Sequence, residues 1–282
     1  MSEMIESVLQ SRKREPFAEL PSESLEQNDL ILQHLIDKKQ EYLENPLENH
    51  AIHPSLRAKM AEWMIEIITS FGLKHRTYFL AVNIMDIFLK TTQKEFESKS
   101  MHLIGVCCMM IASKFNDSRH ITIDSAHRYI SCGALREEEL VAMENEVIKT
   151  VTGQLGMVTC YDVVISLCEK YKVGAKVRRT AATILYLIQM YYDSLRFSVN
   201  AQAYGALLIS LYTLNQSNVI EEVRRERDCN VEIRVIETMH SGILKFMNSF
   251  PCFSNPMRFL EFEFNRDRSG ELFVFRHTRR FD

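Results

Sequence analysis

The sequence predicts an all-α protein made of two successive five-helix bundles preceded by an N-terminal helix. Its 282 residues include only 9 glycines and 6 prolines, so few residues interrupt helices. Apolar residues recur three and four positions apart through most of the chain, which is the period of helices packed on one face. Two segments, 101–116 and 201–215, are apolar on nearly every side and must be enclosed by other helices. At roughly 100–200 residues per domain, the length suggests two domains.

The first part of the chain is predicted to be a polar lead followed by one helix. Residues 1–24 hold scattered charges and no periodic apolar face, which predicts a disordered lead. A helical pattern then runs from Leu25 to Asn45, where it ends because Pro46 disfavours helix in the residue before it. We therefore assign residues 25–53 to an N-terminal helix and a connection.

Five helices are predicted to form the first bundle, which we assign to residues 54–153. The first begins at Pro54, because proline suits a first helical turn, and ends at Gly72. Thr77 is predicted to cap the second helix, since its hydroxyl can accept from an unpaired backbone N–H group. The five predicted helices span residues 54–71, 78–91, 101–116, 122–131 and 135–151.

A second bundle is predicted for residues 154–250, after a linker marked by Gly153 and Gly156. Gly205 lies 100 residues after Gly105, and both stand early in an apolar helix, where a glycine would let a neighbouring backbone approach closely. The matching pattern of the two halves suggests an internal duplication. The predicted helices here span residues 160–172, 176–194, 201–215, 218–227 and 231–248.

The C-terminal tail, residues 251–282, has a different pattern. Leu260, Phe262 and Phe264 alternate with glutamates, which is the period of a strand. A hairpin and an extended tail held by its aromatic side chains are equally good interpretations.

Composition excludes several classes of protein. The 34 basic and 37 acidic residues give a net charge of −3, which argues against nucleic-acid binding. The longest apolar run, Leu103 to Ala112, is about half of what a bilayer span requires, so no membrane association is expected. The 7 cysteines contain no C-x-x-C pair, so we expect reduced thiols and a location in the nucleus, the cytoplasm or both.

No motif for catalysis, cofactor binding or metal binding is found. Phosphate-binding glycine loops, zinc-protease motifs and nucleophile elbows are all missing from the sequence. His50 and His53 are three residues apart, but beside Pro54 we interpret them as two surface histidines rather than half of a metal site. We therefore predict a non-enzymatic protein without a cofactor.

Four charged residues stand in apolar helices, where a plain bundle would not need them. They are Arg57, Asp86, Lys114 and Glu144. A charge on an apolar face costs several kcal/mol unless it is paired, so pairs are expected. Each residue taken alone is more typical of a solvated helix edge, but the four together, in this order, are harder to explain in that way.

Five stretches of sequence resemble the cyclin box, and most of all that of the A/B-type cell-cycle cyclins. The likeness is strong over residues 54–152 and fainter in the second half. The stretches are Leu56–Trp63, Leu80–Leu89, Leu103–Gly105, Ala112–Phe115 and Met143–Glu144, and the signature residues are Arg57, Asp86, Leu103, Lys114 and Glu144. The resemblance implies two tandem cyclin-box bundles in a divergent member of the family.

The resemblance also implies a function and a kinase-binding site. Cyclins are non-catalytic subunits that bind and activate a cyclin-dependent Ser/Thr kinase and so control cell-cycle progression. Lys114 and Glu144, partly exposed in the free protein, would hydrogen-bond the kinase backbone around its αC helix. The N-terminal helix would touch the kinase C-lobe, and Arg57 would pair with Asp86 inside the cyclin. The apolar pocket for an αC side chain would consist of Ile111, Phe115, Ile148 and Leu155.

A second surface implied by the family is a groove that recruits Arg-x-Leu motifs of substrates and inhibitors. Lys59 stands where the family usually has an apolar residue, and His102 stands where glutamine is common, so we predict poor recruitment. The groove positions are Leu56, Lys59, Met60, Trp63, Glu66 and His102.

Two other functions remain compatible with a cyclin fold. One is a scaffold that no longer activates a kinase, although a scaffold would have no need for both Lys114 and Glu144. The other is a transcription adaptor, but the 12 basic and 12 acidic residues of segment 54–152 offer no basic stripe for DNA.

Overall fold

The computed structural model describes residues 45–152, 155–225, 238–239 and 241–243. Within these ranges the chain is helical and forms no strand, so the all-α prediction is confirmed. The predicted lead, the helix from Leu25 to Asn45, the tail and most of the helix at 231–248 lie outside the described residues. The count of five helices in each bundle therefore stays a prediction.

Nine α-helices are described, with short 3₁₀ turns at Ser98–Ser100 and Tyr192–Arg196. The helices are α1 Pro54–Phe71, α2 His75–Thr91, α3 Met101–Asn116, α4 Ile123–Ser125, α5 Glu137–Thr150, α6 Cys160–Lys170, α7 Ala175–Met190, α8 Val199–Thr213 and α9 Ser217–Arg225. Residues 238–239 and 241–243 are helical as well.

Helix α1 starts and stops as its sequence predicts. Pro54 occupies the first turn, and the ring of His53 accepts the Ser55 backbone N–H at 3.2 Å. Gly72 ends the helix in the left-handed conformation at φ 61°, which glycine adopts without a steric penalty.

The predicted cap of α2 is wrong. The helix begins at His75, so Thr77 lies inside its first turn and is buried. Asp117, just after α3, satisfies this helix end instead: it accepts the Lys74 backbone N–H at 3.0 Å and the Thr77 hydroxyl at 2.5 Å. The carboxylate also carries the negative charge that a helix N-terminus favours.

The predicted helix at 122–131 is only partly α-helical. A single turn, α4, continues directly into a π-helical turn at Ala126–Ile130. The Ser131 backbone N–H donates to the Ala126 carbonyl at 2.9 Å, which is the wider hydrogen-bond register of a π turn.

Helix α3 is enclosed by its neighbours, as its sequence predicts. Its side chains from Ile104 to Ser113 are almost all buried, and α2 and α5 pack along it. The expected close approach of a backbone at Gly105 is wrong, because the Met60 side chain fills that space. A Cβ at Gly105 would lie 1.9 Å from Met60 Cε, and a Cβ at Gly205 would lie 2.9 Å from Met239 Sδ. In both bundles the glycine therefore admits a methionine.

The two bundles share a core where α2 meets α6 and α7. Phe79 stacks on Tyr161 with ring centroids 5.0 Å apart, and Tyr78 lies 4.5 Å from Tyr186. An ion pair from Arg76 to Asp162, at 2.8 Å, lies at the edge of this contact. The aromatic contacts bury apolar area of both bundles against each other.

The described residues contain neither a disulfide nor a group of metal-binding side chains. The five described cysteines are unpaired with one another, and four of them are buried. Within the described ranges no three side chains are grouped to hold a metal ion. No described helix has the length and apolar character needed to cross a bilayer.

Candidate functional site

The charged residues of the apolar helices form two ion pairs of different character. In the first, Arg57 donates from Nε to Asp86 Oδ1 and from Nη2 to Asp86 Oδ2, both at 2.6 Å. The Arg57 side chain is 0% exposed and that of Asp86 is 2% exposed. These two residues are therefore not solvated charges at a helix edge. They form the internal pair that the sequence analysis expects.

Arg57 also reaches the second bundle. Its Nη1 donates to the backbone carbonyl of Gln189 at 2.8 Å, and its guanidinium lies 5.9 Å from the ring centre of Tyr192. Burial alone would lower the pKa of Arg57, but the attraction of Asp86 outweighs it, and the pKa is raised. The guanidinium therefore stays charged inside the core.

Gln189 belongs to a buried polar network that sequence reasoning missed. Its side-chain amide donates to Gln202 Oε1 at 2.9 Å, and Gln202 donates to the carbonyls of Ser194 and Phe197. The Arg57 contact uses a backbone carbonyl, which no side-chain pattern reveals. The sequence feature that could have indicated this network is one glutamine in each of the apolar helices α7 and α8.

The second ion pair lies at the surface of the first bundle. Lys114 Nζ, in the last turn of α3, lies 2.6 Å and 2.8 Å from the two oxygens of Glu144 on α5. The Lys114 side chain is 38% exposed, whereas that of Glu144 is only 11% exposed. The expectation of partial exposure thus holds for Lys114 and is wrong for Glu144.

This ion pair retains unused hydrogen-bonding capacity. An ammonium has three donors, and Glu144 takes two of those of Lys114. Each carboxylate oxygen of Glu144 can accept a second hydrogen bond. The pair can therefore bind one further acceptor and further donors, which is the chemistry of an incoming backbone segment.

The helices that carry Lys114 and Glu144 also carry exposed apolar side chains. Among the described residues four large hydrophobic side chains are exposed, and all lie between positions 115 and 148: Phe115, Tyr129, Val141 and Ile148. Phe115 follows Lys114 directly, and Ile148 is one turn beyond Glu144 on α5. Apolar exposure of this kind is typical of an interaction surface.

The four side chains predicted to form an apolar pocket differ in exposure. Phe115 is 53% exposed and Ile148 is 38% exposed, so both are accessible to a partner. Leu155 is partly buried, and Ile111 is only 4% exposed. Ile111 therefore contributes to the packing below the surface rather than to the surface itself.

The predicted groove lies along α1 and the start of α3. Trp63 meets the His102 ring edge-on, with centroids 5.0 Å apart, and Leu56 is partly buried. Met60 is only 6% exposed because it fills the space above Gly105. Leu56 and Trp63 thus remain as the accessible apolar positions.

Charge in this groove is concentrated on α1. Lys59 is exposed, so its ammonium reaches water. Partial burial raises the pKa of Glu66 and lowers the pKa of His102. Glu62, which sequence reasoning missed, has a pKa raised by burial and by the Glu66 charge, and its Oε1 is buried without a hydrogen-bond partner. Its position one helical turn before Glu66 was the available signal.

The remaining signature residue, Leu103, is partly buried and packs against the core on α3. The structure therefore brings Arg57 to Asp86, and Lys114 to Glu144. It also places Trp63 beside His102.

Part of the chain is similar to a known protein family. Residues 28–156 match the family model described as "Cyclin, N-terminal domain". The G2/mitotic-specific cyclin-B3 of Drosophila melanogaster is 31% identical over 156 residues, which cover 55% of this chain and 27% of that protein. This chain thus spans well under half the length of that curated relative.

Two solved structures share the fold. A viral cyclin from herpesvirus saimiri matches with a TM-score of 0.61 and 21% identity, over 78% of this chain and 97% of that chain. A chain in the CAK complex of Chaetomium thermophilum bound to ATP-gamma-S matches with a TM-score of 0.51 and 12% identity, over 86% and 84%. At these identities the likeness establishes the fold alone.

Proposed function

This chain carries a cyclin N-terminal domain and is a divergent relative of the B-type cyclins, and on that premise we propose that it is a cyclin-dependent kinase regulator. In this proposal it binds a cyclin-dependent Ser/Thr kinase as a heterodimer, activates it, and thereby controls cell-cycle progression in the nucleus, the cytoplasm or both. The chain acts in this proposal as a non-catalytic regulatory subunit.

The observation that carries the proposal is the Lys114–Glu144 pair within an exposed apolar surface. A pair that only stabilised the bundle would have no reason to stand beside Phe115 and Ile148, which are 53% and 38% exposed. The unused donor of Lys114 and the second lone pairs of Glu144 match the backbone groups of a kinase helix. Charge-assisted hydrogen bonds of this kind are stronger than neutral ones.

Activation follows from where the kinase αC helix would rest. In protein kinases the ion pair between the strand lysine and the αC glutamate must form before catalysis. A cyclin surface that binds αC through Lys114 and Glu144, with Phe115 and Ile148 around an αC side chain, would hold that helix inward. The activation loop could then open.

The groove on α1 is proposed as a weak site for Arg-x-Leu motifs. Trp63 offers an apolar wall, and Glu66 offers a negative charge for the arginine of the motif. Lys59 opposes this by placing an ammonium near the expected apolar anchor, although its exposure lets the charge reach water.

The decisive experiment measures kinase affinity and protein stability on the same variants. In Lys114→Met/Glu144→Gln both charges are removed together, so no buried charge is left unpaired and the fold should be retained. We expect affinity for a cyclin-dependent kinase to fall roughly 30-fold or more, as for loss of a buried charged hydrogen-bond set.

The control is Arg225→Met/Glu221→Gln on α9, where an exposed ion pair at 3.0 Å undergoes the same chemical change. It should bind and activate the kinase like the unmodified chain in a histone-phosphorylation assay. Full affinity and activation by the Lys114→Met/Glu144→Gln variant would refute the interface. Binding without activation by the unmodified chain would instead indicate a scaffold, and kinase activity of the partner-free protein would contradict the proposal outright.

A further inference from the structure

Residues 45–51, the short segment before α1, contact both bundles, and we call this segment the strap. At its start the Tyr192 hydroxyl of the second bundle donates to Asn45 Oδ1 at 2.7 Å and accepts the Leu47 backbone N–H at 3.3 Å. Leu47 is 6% exposed, so the strap is also anchored by apolar burial.

The other end of the strap lies along the connection between α2 and α3. The Ala51 backbone N–H donates to the Phe96 carbonyl at 2.9 Å, and the Ser98 hydroxyl donates to the Ala51 carbonyl at 3.2 Å. Ala51 and Glu97 form an isolated parallel bridge. The strap thus depends on this connection for its position just before α1 begins.

His50 joins the strap to the same connection through both ring nitrogens. Its Nε2 lies 2.7 Å from the Leu89 carbonyl oxygen, and its Nδ1 lies 3.1 Å from the Phe96 backbone nitrogen. A carbonyl can only accept and a backbone N–H can only donate. The two partners therefore require one neutral tautomer, in which Nε2 carries the proton and Nδ1 accepts.

The ring is held where it stands by aromatic packing. His50 is half-buried, with its ring centroid 5.8 Å from that of Phe96, and Phe96 in turn packs 5.6 Å from Phe88. His50 is thus a partly exposed histidine, as expected, but its ring is engaged in the fold. A protonated ring would place an N–H group directly against the Phe96 N–H, so this hydrogen bond is lost on protonation.

The charged groups around His50 come from three elements. The strap contributes Glu48, which lies 3.8 Å from Lys90 at the end of α2. The connection contributes Lys94, which pairs with Glu146 of α5 at 2.7 Å, and the exposed Glu95. Glu97, in the same connection, pairs with Lys99 at 2.9 Å. The named groups are four acids and three bases, and an imidazole is the kind of side chain whose ordinary titration range lies between about pH 5.5 and 7.5.

We propose that His50 is a pH-sensitive clasp, in which the neutral imidazole holds the strap to the α2–α3 connection and its protonation releases the Phe96 contact. The clasp fixes the chain just before α1, the helix that carries Arg57 and the groove. Its sign follows from the donors and acceptors: the strap is held at neutral pH and loosened as the pH falls. This inference is independent of any kinase partner.

The first test needs no variant. The ¹⁵N shifts of the His50 ring should show protonated Nε2 and unprotonated Nδ1 at pH 7.5. Hydrogen exchange of the Phe96 amide, corrected for its intrinsic pH dependence, should become at least about tenfold faster at pH 5.5, as expected for losing one hydrogen bond. A protonated Nδ1 at pH 7.5, or an unchanged corrected exchange rate, would overturn the proposal.

Two variants separate His50 from the other histidines. His50→Asn places an amide oxygen that accepts at every pH near the position of Nδ1, so the pH dependence of Phe96 exchange should disappear. His53→Asn is the matched control, because the hydrogen bonds of the His53 ring go to Ser55 at the start of α1. It should keep the pH dependence of the unmodified protein. The same pH dependence in His50→Asn would assign the effect to another group and refute the clasp.

Discussion

Removing one member of the Arg57–Asp86 pair should be among the most damaging single changes in the described part of this protein. Arg57→Ala leaves the Asp86 carboxylate 2% exposed without its cation and leaves the Gln189 carbonyl without its donor. Asp86→Ala leaves a fully buried guanidinium without its anion. Breaking a buried ion pair in this way costs about 3–5 kcal/mol.

The double variant distinguishes pairing from mere packing. Arg57→Ala/Asp86→Ala leaves a cavity but no unpaired charge between the two helices, so its loss of stability should be smaller than the sum of the single losses. The shortfall should be at least about 1 kcal/mol, the range found for residues in direct contact. An additive double variant would refute the argument.

Urea unfolding followed by circular dichroism measures these losses, with an unchanged slope showing that the unfolded state is the same. Natural domains have only about 5–15 kcal/mol of stability, so either single variant could be partly unfolded without denaturant. In that case Arg57→Lys, which keeps the charge but loses the two-pronged contact with Asp86, provides a milder measurement. The control is Arg136→Ala, whose partner Glu139 is exposed, and it should cost less than about 1 kcal/mol.

Three further changes test other parts of the structure. Gly105→Ala should destabilise the first bundle by about 1–3 kcal/mol, because the added Cβ would lie 1.9 Å from Met60 Cε. Adding Met60→Ala should recover part of that loss. Thermal melts that show no loss of stability in Gly105→Ala would contradict this packing. Asp117→Ala should lower the stability by about 1–2 kcal/mol, because it removes the acceptor at the start of α2. In the same melts Asp117→Asn should lower it less, because its amide oxygen can still accept. Lys59→Ile should strengthen binding of Arg-x-Leu peptides by no more than about 1 kcal/mol, since the exposed ammonium already reaches water, and equal affinities in peptide titrations would show that Lys59 points away from the groove.

The fold could be predicted from sequence wherever periodicity alone decides a helix. The bounds of α1 and α3 match the prediction because proline, glycine and a continuous apolar face define them. The π turn at Ala126–Ile130 could not be predicted, because the side-chain pattern of a short segment does not specify which carbonyl its N–H groups choose. The cap of α2 was missed for a different reason: Asp117 lies 40 residues beyond Thr77, and only the tertiary structure joins them.

The candidate site shows the same division between chemistry and geometry. The sequence identified which charges need partners but not how deeply each is buried. It placed Met60 in the groove, whereas the glycine opposite draws that side chain into the core. It also gave no sign that His50 is engaged through both ring nitrogens, because both partners are backbone groups.

The two ion pairs look alike in the sequence, as charges in helices, but they have different roles in the structure. Arg57 is 0% exposed, and its rigid fork of donors is engaged by Asp86 and by a carbonyl of the second bundle, so a partner protein can neither reach it nor gain by doing so. Lys114 is 38% exposed and keeps a donor after binding Glu144, on a flexible stem that can redirect it. A charged side chain in an apolar helix therefore stabilises the fold when all its hydrogen-bond donors are engaged inside the protein. When a donor stays free at an exposed apolar surface, the side chain can bind another molecule.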